Sequence, residues 1–403
     1  MARIQRLTAV TALVGTLVAL SSPALAEDPT ASPSTSQDTI SQEVSEPSSA
    51  VQTVGGNQLG LTGRQVNLGP GAQPLPDIWA RTWVLADATT GEILASKGAH
   101  RLRAPASTLK TLTALTLLPR LAPDGTYVGR PSDVVSGTAM AGVKPGVTYT
   151  NKQLFNGMML PSGNDAARAL AHSNGGIKKT IKEMNQVAAS IGALDTVART
   201  PNGLDRKGQV SSAFDLALIA ARGLERPDFA KIVRDKKAPF PNGEGGTRPI
   251  YTNNQLLLSG FPGCIGVKTG FTTDAGRTFV GAATRKGRTL VVALMGIKSS
   301  SAQAAAAALS WGFKNHDKVT PVGTLNVAGA TSAPEASPAA TTAQAAVIVP
   351  NGPPATAAIA VPDVARTSWP PAVWYTLIVL VVAGVLLWAW LRRKSRRSPY
   401  SVI

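Results

Sequence analysis

Three short strings hold the side chains able to do covalent chemistry: Ser107-Thr108-Leu109-Lys110, Ser162-Gly163-Asn164 and Lys268-Thr269-Gly270. A serine hydroxyl is a poor nucleophile until a base takes its proton, and a lysine amine can be that base once its pKa falls. Burial and a second cation close by both lower it. Ser107 opens a stretch with Leu109, Leu112, Leu115 and Leu118 near helical spacing, ended by Pro119, so a helix is predicted over 107–118. Its N-terminus places the Ser107 hydroxyl in a positive field, near free backbone N–H groups that favour an oxyanion. Lys110 lies three residues on, on the same face, within reach of the Ser107 oxygen. Lys268 is the natural second cation. The chemistry is acyl transfer through a serine ester.

The other two strings fit that chemistry. Ser162-Gly163-Asn164 follows Met158-Met159-Leu160-Pro161 and precedes a helix from Asp165, so it sits on a turn. There Ser162 can pass a proton from the base to a leaving nitrogen, and the Asn164 amide can hold a substrate carbonyl. Lys268-Thr269-Gly270 lies in the strand-like run Gly266-Val267-Lys268-Thr269-Gly270-Phe271-Thr272, with glycine where a substrate approaches the backbone. Such a strand can pair with an extended peptide, Lys268 and Thr269 taking its terminal carboxylate. Each string also has an ordinary reading: a serine cap with an exposed lysine one turn on, a loop with a helix cap, an exposed strand bearing a lysine. A chain of this size holds about one S-x-x-K by accident, but a K-T-G only about one time in several. Three in this order outweigh the ordinary readings.

The elements that must position these residues come from one body, residues 75–319. Trp83-Val84-Leu85-Ala86-Asp87 and Glu92-Ile93-Leu94-Ala95 flank Thr89-Thr90-Gly91, a hairpin signal. Residues 277–284 and 289–295 flank Arg285-Lys286-Gly287-Arg288, a second hairpin, and the K-T-G run is a fifth strand. Helices are predicted over 151–159, 165–171, 177–191, 213–222 and 301–313. Strands at both ends of the body with helices between them imply an α+β fold. It is expected to be a five-stranded, mostly antiparallel sheet flanked by helices, with an inserted helical subdomain.

The termini carry targeting signals. Arg3 and Arg6, an uncharged apolar run over 7–20 and the small-x-small string Ala24-Leu25-Ala26 read as a signal peptide over 1–26. That run of 14 residues falls short of the roughly 20 a spanning helix needs. Residues 27–74 read as a disordered leader and 320–370 as an Ala/Pro/Thr-rich stalk, since neither holds enough apolar surface to offset ordering entropy. Residues 371–391 are uncharged and long enough to span a bilayer. Trp369, Trp374 and Tyr375 flank one edge, Trp388 and Trp390 the other, and five cations follow in the tail 392–403. A single C-terminal transmembrane helix is expected, with the body outside the cytoplasm.

The formal charge is +17; removing Arg3 and Arg6 leaves +15, and setting aside Arg392, Arg393, Lys394, Arg396 and Arg397 leaves +10. An exported basic body suits an anionic surface or wall polymer, or simply a solvated basic face, and not nucleic acid, for which no aromatic–basic stripe is visible. The one cysteine, Cys264, excludes an intrachain disulfide and reads as a small buried hydrophobe. His100, His172 and His316 are scattered, so neither a metal nor another cofactor is expected.

The segments 104–110, Pro201-Asn202-Gly203-Leu204-Asp205, 212–217 and Lys268-Thr269-Gly270-Phe271-Thr272 together resemble the low-molecular-mass penicillin-binding proteins, the serine-type D-alanyl-D-alanine carboxypeptidase family. The resemblance covers residues 75–313 and implies a β-lactamase/penicillin-binding-protein-like fold. It implies Ser107 as nucleophile, Lys110 as base, Ser162 and Asn164 completing the site, and Lys268 and Thr269 binding the substrate carboxylate. The backbone N–H groups of Ser107 and Phe271 match the oxyanion hole, with Gly270 between strand and substrate. Peptidoglycan stem peptides are the implied substrate and β-lactams the implied inhibitors. Three rivals share these residues. A class A β-lactamase needs a glutamate in an E-x-x-L-N string, and none occurs between Asn164 and Lys268. An endopeptidase or transpeptidase differs only in substrate or acceptor. A catalytically silent wall-binding membrane protein is the third.

Overall fold

The computed structural model describes residues 53–327 and 329, all within one unit. Five long strands make the centre of the sheet: β1 (Thr82–Asp87), β2 (Glu92–Lys97), β3 (Cys264–Thr272), β4 (Gly276–Arg285) and β5 (Arg288–Ile297). They pair in the order β2-β1-β5-β4-β3, and every pair is antiparallel. The two predicted hairpins join β1 to β2 and β4 to β5. The K-T-G strand β3 is an edge, which leaves one side of its backbone open.

Alternation along β1 shows why both faces of the sheet are apolar. Val84 and Ala86 point into a core shared with Leu109, Leu112, Leu115, Phe214 and Leu218 of the helical block. Trp83 and Leu85 point the other way, into a second core with Ala305, Ala308, Leu309 and Trp311. The helices are α1 (Lys110–Leu117), α2 (Asn151–Met159), α3 (Asn164–Ser173), α4 (Ile177–Ser190), α5 (Ala213–Leu224), α6 (Pro227–Arg234), α7 (Gln255–Leu258) and α8 (Ser301–Asn315). All but the last are inserted between β2 and β3. α2 starts on a capping box in which Thr150 and Gln153 exchange hydrogen bonds, which fixes its first residue as the sequence pattern places it.

Several expectations change. The sheet has seven strands, because Arg64–Gln65 and Gly323–Thr324 both add to β2. Both belong to stretches expected to lie outside the body. Residues 53–74, assigned above to a disordered leader, are folded onto the domain: Leu59 is fully buried, Asn67–Leu68 pairs with Val319–Thr320, and Gln73 bonds Asn315 and Trp311 of α8. The body likewise runs past residue 319, with Val322 and Leu325 buried. Two-residue strands leave no periodicity to read, and these segments borrow the domain's core instead of forming one. The short ribbons Thr126–Val128 with Thr148–Thr150 and Lys237–Pro241 with Thr247–Tyr251, with helices α6 and α7, were not anticipated. Cys264 is half-buried rather than buried, and burial raises its thiol pKa. No described helix is long and apolar enough to cross a membrane. The expected signal peptide, most of the stalk, the transmembrane helix and the basic tail lie outside the described residues.

Candidate active site

Ser107 does not begin an α-helix directly. It sits in a single 3-10 turn, Ala106–Leu109, and α1 starts at Lys110. The residue before it, Ala106, holds a φ of +50°, in the left-handed region that a Cβ disfavours. Packing enforces that geometry. Thr108 and Thr278 both donate to the Pro105 carbonyl, at 2.5 and 2.9 Å, and Gly203 lies so close that an added Cβ would meet the Ala106 oxygen at 2.0 Å. Ser162, the second serine, is also strained, with φ +67° on the turn between α2 and α3.

The strings converge around Lys110, which is fully buried. Its Nζ lies 2.8 Å from Ser107 Oγ, 2.7 Å from Asn164 Oδ1 and 2.6 Å from the Asn202 carbonyl. The last two are acceptors only. In its neutral form the amine would have two N–H groups and one lone pair, so with Asn164 and Asn202 taking both hydrogens the lone pair would be left for the Ser107 hydroxyl. Burial drives Lys110 well below the ordinary lysine pKa, the charge of Lys268 adds to the fall, and Asp165 acts against it. Burial pushes Lys268 itself down to about 7. The arrangement sets an amine of lowered pKa against a hydroxyl, the geometry that general-base activation of a serine requires.

The K-T-G strand is placed by contact with the serine turn. Gly270 runs so close that a Cβ there would lie 2.9 Å from Ser107 N, 3.0 Å from Thr108 N and 2.4 Å from Thr278 Oγ1, so only glycine fits. Lys268 is fully buried beneath the cleft, its ammonium donating to the Thr269 carbonyl at 2.9 Å. The predicted pairing of Lys268 with Lys110 is therefore present, whereas the cleft wall itself is formed by Thr269, Gly270 and Phe271. Phe271 is 68% exposed at its mouth.

These groups open into a cleft of about 1020 Å³ that Ser107, Ser162 and Asn164 also line. Sequence reasoning missed four contributors. Asn202 supplies the carbonyl that orients Lys110. Asp165, buried in the first turn of α3, accepts from the N–H groups of Ala141, Gly142 and Val143 at 2.7–2.8 Å. That holds the chain just beyond Thr138 and Ala139, which line the cleft. Arg277 and Lys298 bring cationic side chains into the cleft wall. The proline–asparagine–glycine run was a signal for Asn202; nothing local marked Arg277 or Lys298.

Residues 70–299 match the peptidase S11 family, D-alanyl-D-alanine carboxypeptidase. D-alanyl-D-alanine carboxypeptidase DacB2 of Mycobacterium tuberculosis is 42% identical over 250 residues, covering 60% of this chain and 85% of the relative. DacA of Escherichia coli is 31% identical over 265 residues, 62% of this chain and 64% of that protein. Among solved structures, a D-alanyl-D-alanine carboxypeptidase from Mycobacterium tuberculosis superposes with a TM-score of 0.61 at 41% identity, over 64% of this chain and 99% of the other. The Streptomyces K15 DD-transpeptidase superposes with a TM-score of 0.57 at 29% identity, over 60% and 100%. The chain belongs to the peptidase S11 family and is a serine-type D-alanyl-D-alanine carboxypeptidase with a penicillin-binding-protein-like fold.

Proposed function

We propose that Ser107 cuts the terminal D-Ala-D-Ala bond of peptidoglycan stem peptides through an acyl-enzyme. The observation that carries the residue roles is the 2.8 Å contact between Lys110 Nζ and Ser107 Oγ, with both remaining Lys110 partners acceptors. Ser107 Oγ bonds the carbonyl carbon of the penultimate D-alanine as its proton passes to Lys110. The C–N bond then breaks, and Ser162 relays that proton to the leaving nitrogen. Water hydrolyses the ester and restores Ser107. Asn164 has Oδ1 committed to Lys110, which leaves its Nδ2 hydrogens for the substrate backbone. Open edge strand β3 suits pairing with the extended peptide. Thr269, with Arg277 in the same wall, meets the terminal carboxylate while Lys268 acts from beneath.

The test is release of D-alanine from a pentapeptide ending in D-Ala-D-Ala, with the C-terminal amide of the same peptide as control. No release from the free acid would overturn the reading. A second outcome is motivated by the likeness to a DD-transpeptidase: with an amine acceptor present, part of the acyl group goes to the amine instead of water. β-Lactams would acylate the same serine. Residues 371–391 would anchor the catalytic body on the outer side of the cell membrane, by their length and flanking charges. Truncation before Trp369 should release active protein into the medium, and its retention in membranes would count against this topology.

A further inference from the structure

A second cavity, of about 320 Å³, lies at the same end of the sheet as the mouth of the cleft. Its lining includes Arg64, Arg81, Lys97, Lys298, Trp79 and Asp77. The fold brings the cations there from separate strands. Lys97 ends β2, Arg81 precedes β1 and donates its N–H to Met295 and Gly296 at the end of β5, and Lys298 follows β5. Arg277 is the second residue of β4, paired with Phe271 of β3. From β2 to β4 is three strand spacings, roughly 14 Å. Lys298 lines both cavities and so links the second cavity to the cleft.

Two features distinguish this row from an ordinary basic surface. The first is its lack of counter-charge. The one acid in the lining, Asp77, is committed to Arg64 at 2.9 Å, and Arg64 also holds the Leu75 and Pro76 carbonyls. Arg81, Lys97 and Lys298 have no ion pair among the described residues. Burial depresses the Arg103 guanidinium's pKa, and the nearby charges of Arg81 and Arg101 add to the fall. The second is Trp79. It is 62% exposed in the cavity wall, and its backbone carbonyl accepts the Lys298 backbone N–H at 2.8 Å, so the two residues enter the cavity lining from paired backbones. A flat indole face beside unpaired cations suits a sugar ring with an anionic substituent. The site is a concavity, which fits a single chain better than a bilayer.

We propose that this groove binds an acidic saccharide chain of the cell wall, Trp79 stacking on a sugar while Arg81, Lys97 and Lys298 take its carboxylate or phosphodiester groups. The groove would hold the polymer while a neighbouring peptide enters the cleft, so the proposal deepens the reading above and rests on it only for the cleft's role. It does not depend on which acceptor the acyl group meets.

The experiment uses the purified full-length protein, Trp79→Ala and the double variant Arg81→Gln/Lys97→Gln. Binding to a polyglucuronate, to a phosphodiester-linked sugar polymer and to phosphatidylglycerol vesicles is measured at low and high salt, alongside hydrolysis of a short D-Ala-D-Ala peptide. At least one polymer should bind, more weakly in salt, and each variant should lose on the order of tenfold in affinity. Which polymer binds identifies the anionic group. The short-peptide kcat/KM should stay within about twofold of wild type, which also shows that the variants are folded. Trp79→Phe, which keeps a ring face, should recover most of the affinity. Binding of neither polymer, equal binding by wild type and variants, or vesicles as the only ligand would overturn the proposal. Polymer binding without peptide hydrolysis by wild type would leave the groove standing and sink the proposed reaction instead.

Discussion

Lys110 is asked to be neutral in a protein whose solvent would keep it charged. Its burial and the Lys268 charge favour the neutral form, while Asp165 opposes them. Three results should follow. Labelled penicillin should attach at Ser107 and vanish in Ser107→Ala, and Lys110→Ala should slow acylation by at least about a thousandfold, since the proton then has no acceptor. Peptide mapping and stopped-flow acylation check both. The pH profile gives a third. Only neutral Lys110 accepts the proton, so kcat/KM rises with pH through the Lys110 pKa. Lys268→Ala removes a nearby positive charge, so the Lys110 pKa rises and the acid limb of the profile should move to higher pH. An unmoved limb would mean that the two lysines are not coupled.

The serine turn and the segment carrying Asn202 form one unit at the scale of elements. Gly203, at φ +81°, abuts Ala106, while Asp205 on the same segment accepts from Thr272 Oγ1 at 2.7 Å at the end of β3. Serine turn, lysine-orienting carbonyl and K-T-G strand are thereby locked to one another. Gly203→Ala adds a Cβ that collides with backbone and strains a left-handed residue. It should cost about 1–3 kcal/mol in denaturant melts and lower acylation more than KM for a peptide. A Gly203→Ala enzyme with native acylation would show that the segment is a bystander.

The whole domain is closed by its ends. Leu59 is buried, the 53–74 segment pairs with β2 and with Val319–Thr320, and His100 ties Val54 to Asp195. A chain starting at residue 75 should therefore melt well below one starting at 53, by several degrees in a thermal scan. Equal Tm values would return the segment to the status of a leader. His100 adds a pH dependence. Burial lowers its pKa, but the hydrogen bond and charge of Asp195, with the Val54 carbonyl and the charge of Asp215, together outweigh this and raise it above 6.5. A raised folded pKa means the bond's stabilisation is complete below the unfolded value and is lost as pH rises through the folded one. The Tm gap between wild type and His100→Asn should be larger at pH 5.5 than at pH 8.5.

The sequence alone determined what is local and periodic. The leucine spacing after Ser107, the two hairpins and the helix starting at Asn151 follow from residue types within a few positions. The contact between Lys110 and Ser107 was legible because a separation of three residues on one helical face suffices to bring the amine to the hydroxyl. Tertiary structure decided the rest. Asn202 reaches Lys110 across 92 positions through a backbone carbonyl, which no side chain advertises. The depth of Lys268 under the cleft depends on which side of an edge strand faces the helical block. The cationic row of Arg81, Lys97, Lys298 and Arg277 exists only because antiparallel pairing puts the ends of four strands side by side. Segments 53–74 and 320–327 have no core of their own, so their order is a property of the surface that receives them.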